Sequence, residues 1–129
     1  MAQVVVYGRR ESLDQRRGVL SEAIHAAIMS ALQYPPGKKF QRFIALEEPD
    51  FIYPADRGAD YTIIEISMFE GRTDAAKRAL IAELFTRVET QAGISPHSLE
   101  ITITETPKAN WGIRGQNAAD LVLNYRVEV

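Results

Sequence analysis

A chain of 129 residues, charged at 25% with both signs mixed and a net charge of -2, has the length for one core. It lacks the basic excess that attraction to nucleic acid or to an acidic membrane requires. It contains no cysteine and only two histidines, His25 and His97, which excludes thiol catalysis, disulfides, Cys-type zinc sites and a multi-histidine metal site within one chain.

Gln3 to Tyr7 is short, apolar and β-branched, the pattern of a buried strand. Ser12-Leu13-Asp14-Gln15 reads as a capping box, with Ser12 as N-cap. The helix it opens carries Leu20, Ala23, Ile24, Ala27, Ile28, Ala31 and Leu32 on one face. Tyr34-Pro35-Pro36-Gly37 stops that helix. A second strand is predicted over 39–46, followed by a connector with Pro49, Pro54 and Gly58. Its Phe51, Ile52 and Tyr53 make it aromatic enough to pack on the domain.

A third strand is predicted over 62–69. Thr73-Asp74 caps a second helix whose apolar face runs through Ala76, Leu80, Ile81, Leu84, Phe85 and Val88, and Gly93 suits its end. A fourth strand over 99–106 sets Ile101 and Ile103 against Thr102 and Thr104. The tail turns through 107–115 and closes on a possible edge strand, 121–127. No apolar run approaches the ~18 residues of a membrane span and no signal-peptide pattern opens the chain, so a cytoplasmic protein is expected.

The order of elements repeats. Tyr7-Gly8-Arg9 and Phe69-Glu70-Gly71-Arg72 each close a strand and open a helix. The chain therefore divides into a β-α-β unit at about 2–48, a connector at about 49–60, a second unit at about 61–107 and a C-terminal turn and strand at about 108–129. Each unit is too small to bury a core alone, so the pair must share a sheet within one domain. The expected fold is α/β: parallel right-handed crossovers, a four-stranded sheet and both helices on one face. The other face is expected to carry apolar residues that further subunits cover.

The second half holds a series of short motifs: Glu70-Gly71-Arg72-Thr73-Asp74 with Lys77, then Ile103-Thr104-Glu105, then Lys108 with Asn110-Trp111-Gly112-Ile113-Arg114-Gly115. In this order and spacing they resemble the tautomerase superfamily founded on 4-oxalocrotonate tautomerase. The duplicated plan extends the likeness to the whole chain. It points to the fused, trimeric branch near malonate semialdehyde decarboxylase and the cis-3-chloroacrylic acid dehalogenases. The resemblance implies a tautomerase-like fold, a homotrimer and an active site at the start of the first strand. There an amino-terminal proline acts as base or acid, arginine holds an oxo-acid carboxylate, and an aromatic residue closes the pocket. Such chemistry needs one group to move a proton and a cation to hold the developing oxyanion.

The chain departs from that pattern. Ala2 stands in the place of the proline, so the base would be the Ala2 amine once Met1 is removed. Phe69 stands where dehalogenase-like members carry the first of two arginines, and Arg72 matches the second. Gly37-Lys38-Lys39-Phe40 offers no carboxylate where the decarboxylase-like branch has an aspartate.

The resemblance thus implies Ala2 and Arg72 as catalytic, with Phe69, Trp111, Asn110 and Lys38 around the substrate. Four of these have a plainer reading. Arg72 is also a surface arginine near a helix start, Trp111 an interface aromatic, Asn110 a turn residue and Lys38 a solvated strand entry. Arg9, with Arg10, Arg16 and Arg17, reads as a solvated cluster or subunit contact, His25 as structural and His97 as solvent-facing. The expected activity is weak, cofactor-independent and metal-independent keto–enol tautomerisation of a small carboxylate-bearing 2-oxo or enol acid, with no nucleic-acid or membrane partner. The alternative is a non-catalytic trimeric module that binds a small anion or serves a structural role.

Overall fold

The computed structural model describes residues 2–121. Strand β1 (Ala2–Arg9) runs directly into helix α1 (Arg10–Leu32), which returns to strand β2 (Gln41–Leu46). Strand β3 (Thr62–Phe69), helix α2 (Asp74–Ala92) and strand β4 (Leu99–Thr106) repeat the plan. A hairpin of β5 (Gly112–Ile113) and β6 (Gln116–Asn117) follows. The strand expected at 121–127 lies, beyond Leu121, outside the described residues.

The sheet order is β2-β1-β3-β4. β1 and β2 are parallel, as are β3 and β4, while β1 and β3 meet antiparallel at the centre. Strict alternation along β1 and most of β3 buries Val4, Val6, Ile64, Ile66 and Met68 against the helices. Both helices answer from one side. Leu13, Leu20, Ile24 and Leu32 of α1 and Leu80, Leu84 and Val88 of α2 complete one core with them. That is the α/β plan expected from the repeat, and burial of one apolar stripe per helix is what holds it.

The details differ at three places. α1 begins at Arg10, with Arg9 as N-cap and no side-chain cap bond, so the capping box at Ser12 does not form. Ser12 lies buried inside the first turns, where its Oγ accepts from Arg16 Nη1 at 3.1 Å. The strand feeds the helix without a loop, which leaves no room for a cap three residues further on. β2 starts at Gln41 because its ladder with β1 begins at Val4 and Gln41. The sheet face away from the helices is more polar than expected. Alternation places the apolar Val5, Ile44 and Ile63 there as expected, but interleaves them with Tyr7, Arg42, Glu65, Thr102 and Thr104.

The expected ends of α2 hold. Thr73 caps α2 by accepting from the Ala76 amide, and Gly93 ends it at φ 72, a left-handed conformation that glycine takes without a Cβ clash. The connector packs down through Phe51 and Tyr61, whose rings cluster with Tyr53. Arg9 departs from the solvated reading: half-buried, it lies over the Tyr53 ring at 5.2 Å, a cation–π contact. The neighbouring arginines are engaged: Arg10 with Glu47, Arg17 with Asp14 and Arg16 with the Ala92 carbonyl. His25 is buried against the Pro36 carbonyl, whereas His97 is exposed near Asp56. No helix among the described residues is long and apolar enough to cross a membrane.

Candidate functional site

The start of β1, the end of β3 and the end of α1 meet at one end of the sheet. Ala2 is the first residue of β1, 2% exposed and paired with Met68 across the central ladder. Its nitrogen donates to the Tyr34 hydroxyl at 2.9 Å. Tyr34 follows Gln33, the residue that closes α1 in a left-handed conformation at φ 50. Two residues back along the chain, the Leu32 carbonyl accepts from Arg72 Nη1 at 2.9 Å. Arg72 is 6% exposed and enters from the turn between β3 and α2, where Gly71 at φ 122 reverses the chain. The Tyr34 hydroxyl and the Leu32 carbonyl, two residues apart in sequence, thus tie Ala2 and Arg72 to the end of α1.

The end of β3 carries an aromatic wall. Phe69 is buried and meets Trp111 edge to face, with ring centroids 5.0 Å apart and planes at 71°. Ala118, Ile113 and Leu121 pack with them in a small apolar cluster separate from the main core. The backbone holds Trp111 in place, since its carbonyl accepts from the Ala118 amide at 2.8 Å. On the helix side of the same sheet end, Lys77 donates to Glu105 at 2.8 Å and also faces Asp74. The hydrogen bond to Glu105 raises the Lys77 pKa above its ordinary value. A cleft of about 300 Å³ opens where β1 and β2 begin, lined by Gln3, Val4, Lys39, Phe40, Gln41 and Arg42. Its two cations make it hospitable to a small anion.

Residues 38–114 match the family described as tautomerase enzyme, well over half of the chain. This chain belongs to the tautomerase family. It is 39% identical over 57 residues to the 2-hydroxymuconate tautomerase of Pseudomonas putida, across 44% of this chain and 90% of that protein. Its fold superposes on malonate semialdehyde decarboxylase with a TM-score of 0.81 at 19% identity, covering 93% of this chain and 99% of the other. It superposes on a fused 4-OT, solved as an asymmetric trimer, with a TM-score of 0.77 at 23% identity, covering 91% and 96%.

Within this tautomerase-family chain, the residues singled out in the sequence fall into two groups. Ala2 and Arg72 converge on the turn that ends α1, and Phe69 and Trp111 touch each other. Asn110 is exposed in the short turn Lys108–Asn110, where its backbone amide donates to Pro107. Lys38 is half-buried, and its amide donates to the Pro35 carbonyl. Neither Asn110 nor Lys38 makes a side-chain hydrogen bond or ion pair to the other four among the described residues. Tyr34 went unread as a site residue. In sequence it is the first letter of a helix stop, and only the packing of α1 shows that its hydroxyl reaches Ala2.

Proposed function

We propose that this chain catalyses cofactor-independent keto–enol tautomerisation of a small 2-oxo or enol acid. The observation that carries the reading is that the Ala2 nitrogen bonds the Tyr34 hydroxyl and the Arg72 guanidinium bonds the Leu32 carbonyl, both at the end of α1, in a chain of the tautomerase family. Removal of Met1 turns the Ala2 nitrogen from an amide into a primary amine. Such an amine titrates at about 7.7–8.0 when exposed, and burial lowers that toward neutrality. It then takes a proton from one carbon or oxygen of the substrate and returns it to another.

Arg72 donates from Nη1 to the Leu32 carbonyl, and its guanidinium holds the enolate oxygen or the carboxylate. Phe69 and Trp111 supply the apolar wall. The assembly is a homotrimer of single-domain chains, a reading supported by the trimeric fused 4-OT of the same fold. A primary amine in place of a secondary one makes the activity weak.

Intact mass and ketonisation of phenylenolpyruvate test this together. The expected result is a chain lacking Met1, with turnover that Arg72→Ala cuts by about 100-fold. Ala2→Pro in the processed chain is expected to raise turnover. A processed Ala2→Pro chain that ketonises nothing overturns the reading.

A second reading is favoured by the burial of Arg72 and its bond to Leu32, which suit a structural arginine. In that case the chain is a non-catalytic trimer that binds a small anion or serves as a structural module. Retention of Met1 with no turnover supports it.

A further inference from the structure

The contact that no sequence motif accounts for is the hydroxyl of Tyr34. The ring alone suffices for the core, where it is 4% exposed. A buried hydroxyl is costly unless it is bonded, and this one accepts from the Ala2 nitrogen at 2.9 Å. The loop that delivers it is braced on both sides. Gln33 turns the chain at φ 50, and the Tyr34 amide donates back to the Met29 carbonyl. Pro35 and Pro36 stiffen the next two positions of the loop. The Lys38 amide closes on the Pro35 carbonyl, and His25 Nε2 bonds the Pro36 carbonyl at 2.8 Å.

We propose that Tyr34 is the positioning residue for the amino group of Ala2, fixing its rotation and setting the pH at which it gives up its proton. The proposal rests on the reading that the processed amine is the base. A primary amine at a chain end turns freely about its N–Cα bond. One held hydrogen bond aims its remaining lone pair or N–H groups, a task that a ring amine performs covalently.

In the intact chain the Ala2 nitrogen is an amide N–H. After processing it donates in the same direction as an ammonium, and the phenol oxygen accepts. Acceptance favours the charged amine, while burial opposes it. Other charged groups lie at this end of the sheet. Arg72 comes from the β3–α2 turn, and Lys38 and Lys39 lead into β2. Lys77 of α2 is neutralised by Glu105 of β4 and by Asp74. The carboxyl end of α1, which carries no basic residue in its last turn, adds a partial negative charge.

The test uses the chain beginning at Ala2, released from a cleavable fusion. The pH dependence of acylation of its amino group by acetic anhydride, read by mass spectrometry, gives the amine's pKa directly. Tyr34→Phe keeps the ring in the core, and it is expected to lower that pKa by about one unit. An unchanged value overturns the proposal. A second measurement needs no variant. In the wild-type chain labelled with [13Cζ]tyrosine, one phenol resonance is expected to move with the midpoint of the amine, and the absence of such a resonance overturns the proposal.

Turnover is read separately. A shifted amine without turnover in any form upholds Tyr34 and sinks the tautomerase reading. Turnover with an unshifted amine does the reverse.

Discussion

The two β-α-β halves share one topology and solve their corners in different ways. In the first half β1 passes into α1 at Arg9 with no loop and no side-chain cap, and α1 ends on Gln33 in a left-handed conformation. In the second half a turn through Glu70, Gly71 and Arg72 separates strand from helix. Thr73 caps α2, and Gly93 ends it. The second half thus follows the local rules of helix ends, and the first breaks them at both ends of α1. Local conflict of this kind is tolerated where a site is being built. Only the second departure lies at the residues in question: the end of α1 delivers Tyr34 to Ala2 and Leu32 to Arg72, while the uncapped start of α1 follows the far end of β1.

The halves share a core, and that is the first thing to break. Leu20 of α1 and Leu80 of α2 are both fully buried in one cluster. Leu20→Ala and Leu80→Ala are each expected to cost about 3 kcal/mol, with a single cooperative transition in urea. Two separate transitions would show that the halves are independent.

The buried arginine comes next. Arg72→Ala strips a donor from the Leu32 carbonyl and is expected to cost about 1–3 kcal/mol in the same unfolding experiment. Its counterpart in the first half, Arg9→Ala, loses a cation–π contact and is expected to cost about 0.5–1 kcal/mol. Equal losses would erase the asymmetry between the corners.

The helix ends sharpen the comparison further. Thr73→Ala is expected to cost about 1 kcal/mol, because it leaves the Ala76 amide without its cap. Gln33→Gly is expected to stabilise the protein by about 0.5–1 kcal/mol, since glycine accepts φ 50 without a Cβ clash. Thermal melting of both variants gives the sign directly.

The smallest effect is on pH dependence. Tyr61 has its phenol pKa raised by burial and then by its hydrogen bond to Glu100 at 3.0 Å. A raised folded pKa means this contribution is whole below the ordinary value of about 10 and drains away as pH climbs through the folded value. Lys77, raised by Glu105, drains in the same direction. Melting temperature is therefore expected to fall from about pH 10 upward, and Tyr61→Phe is expected to flatten part of that fall.

Much of this was legible in the sequence, because alternation and helical spacing act locally. β3 and β4 begin and end where their patterns do, and Thr73 and Gly93 announce the ends of α2. Ser12 misled because a capping box is only a local offer. The strand had already committed the chain to a helix at Arg10, and Ser12 took Arg16 as its partner instead. The polar share of the far sheet face was hidden because Arg42 and Glu65 sit on different strands, and only the register places them on one surface. The site was half legible. The Glu-Gly-Arg turn and Trp111 carry motifs, but the reach of Tyr34 to Ala2 depends on a helix 23 residues long arriving at the right depth.

The ladder registers carry a further consequence. Val4 pairs with Gln41 in the first half and Thr62 with Leu99 in the second, the same sequence separation in both, although the two helices differ in length. Between the halves, Ala2 meets Met68 and Tyr7 meets Ile63 head to tail. An approximate local dyad therefore stands between β1 and β3 and relates the strand pairing of the two halves. Any surface the dyad generates exists twice, once from each half. The uncapped and capped corners are where those two copies part company.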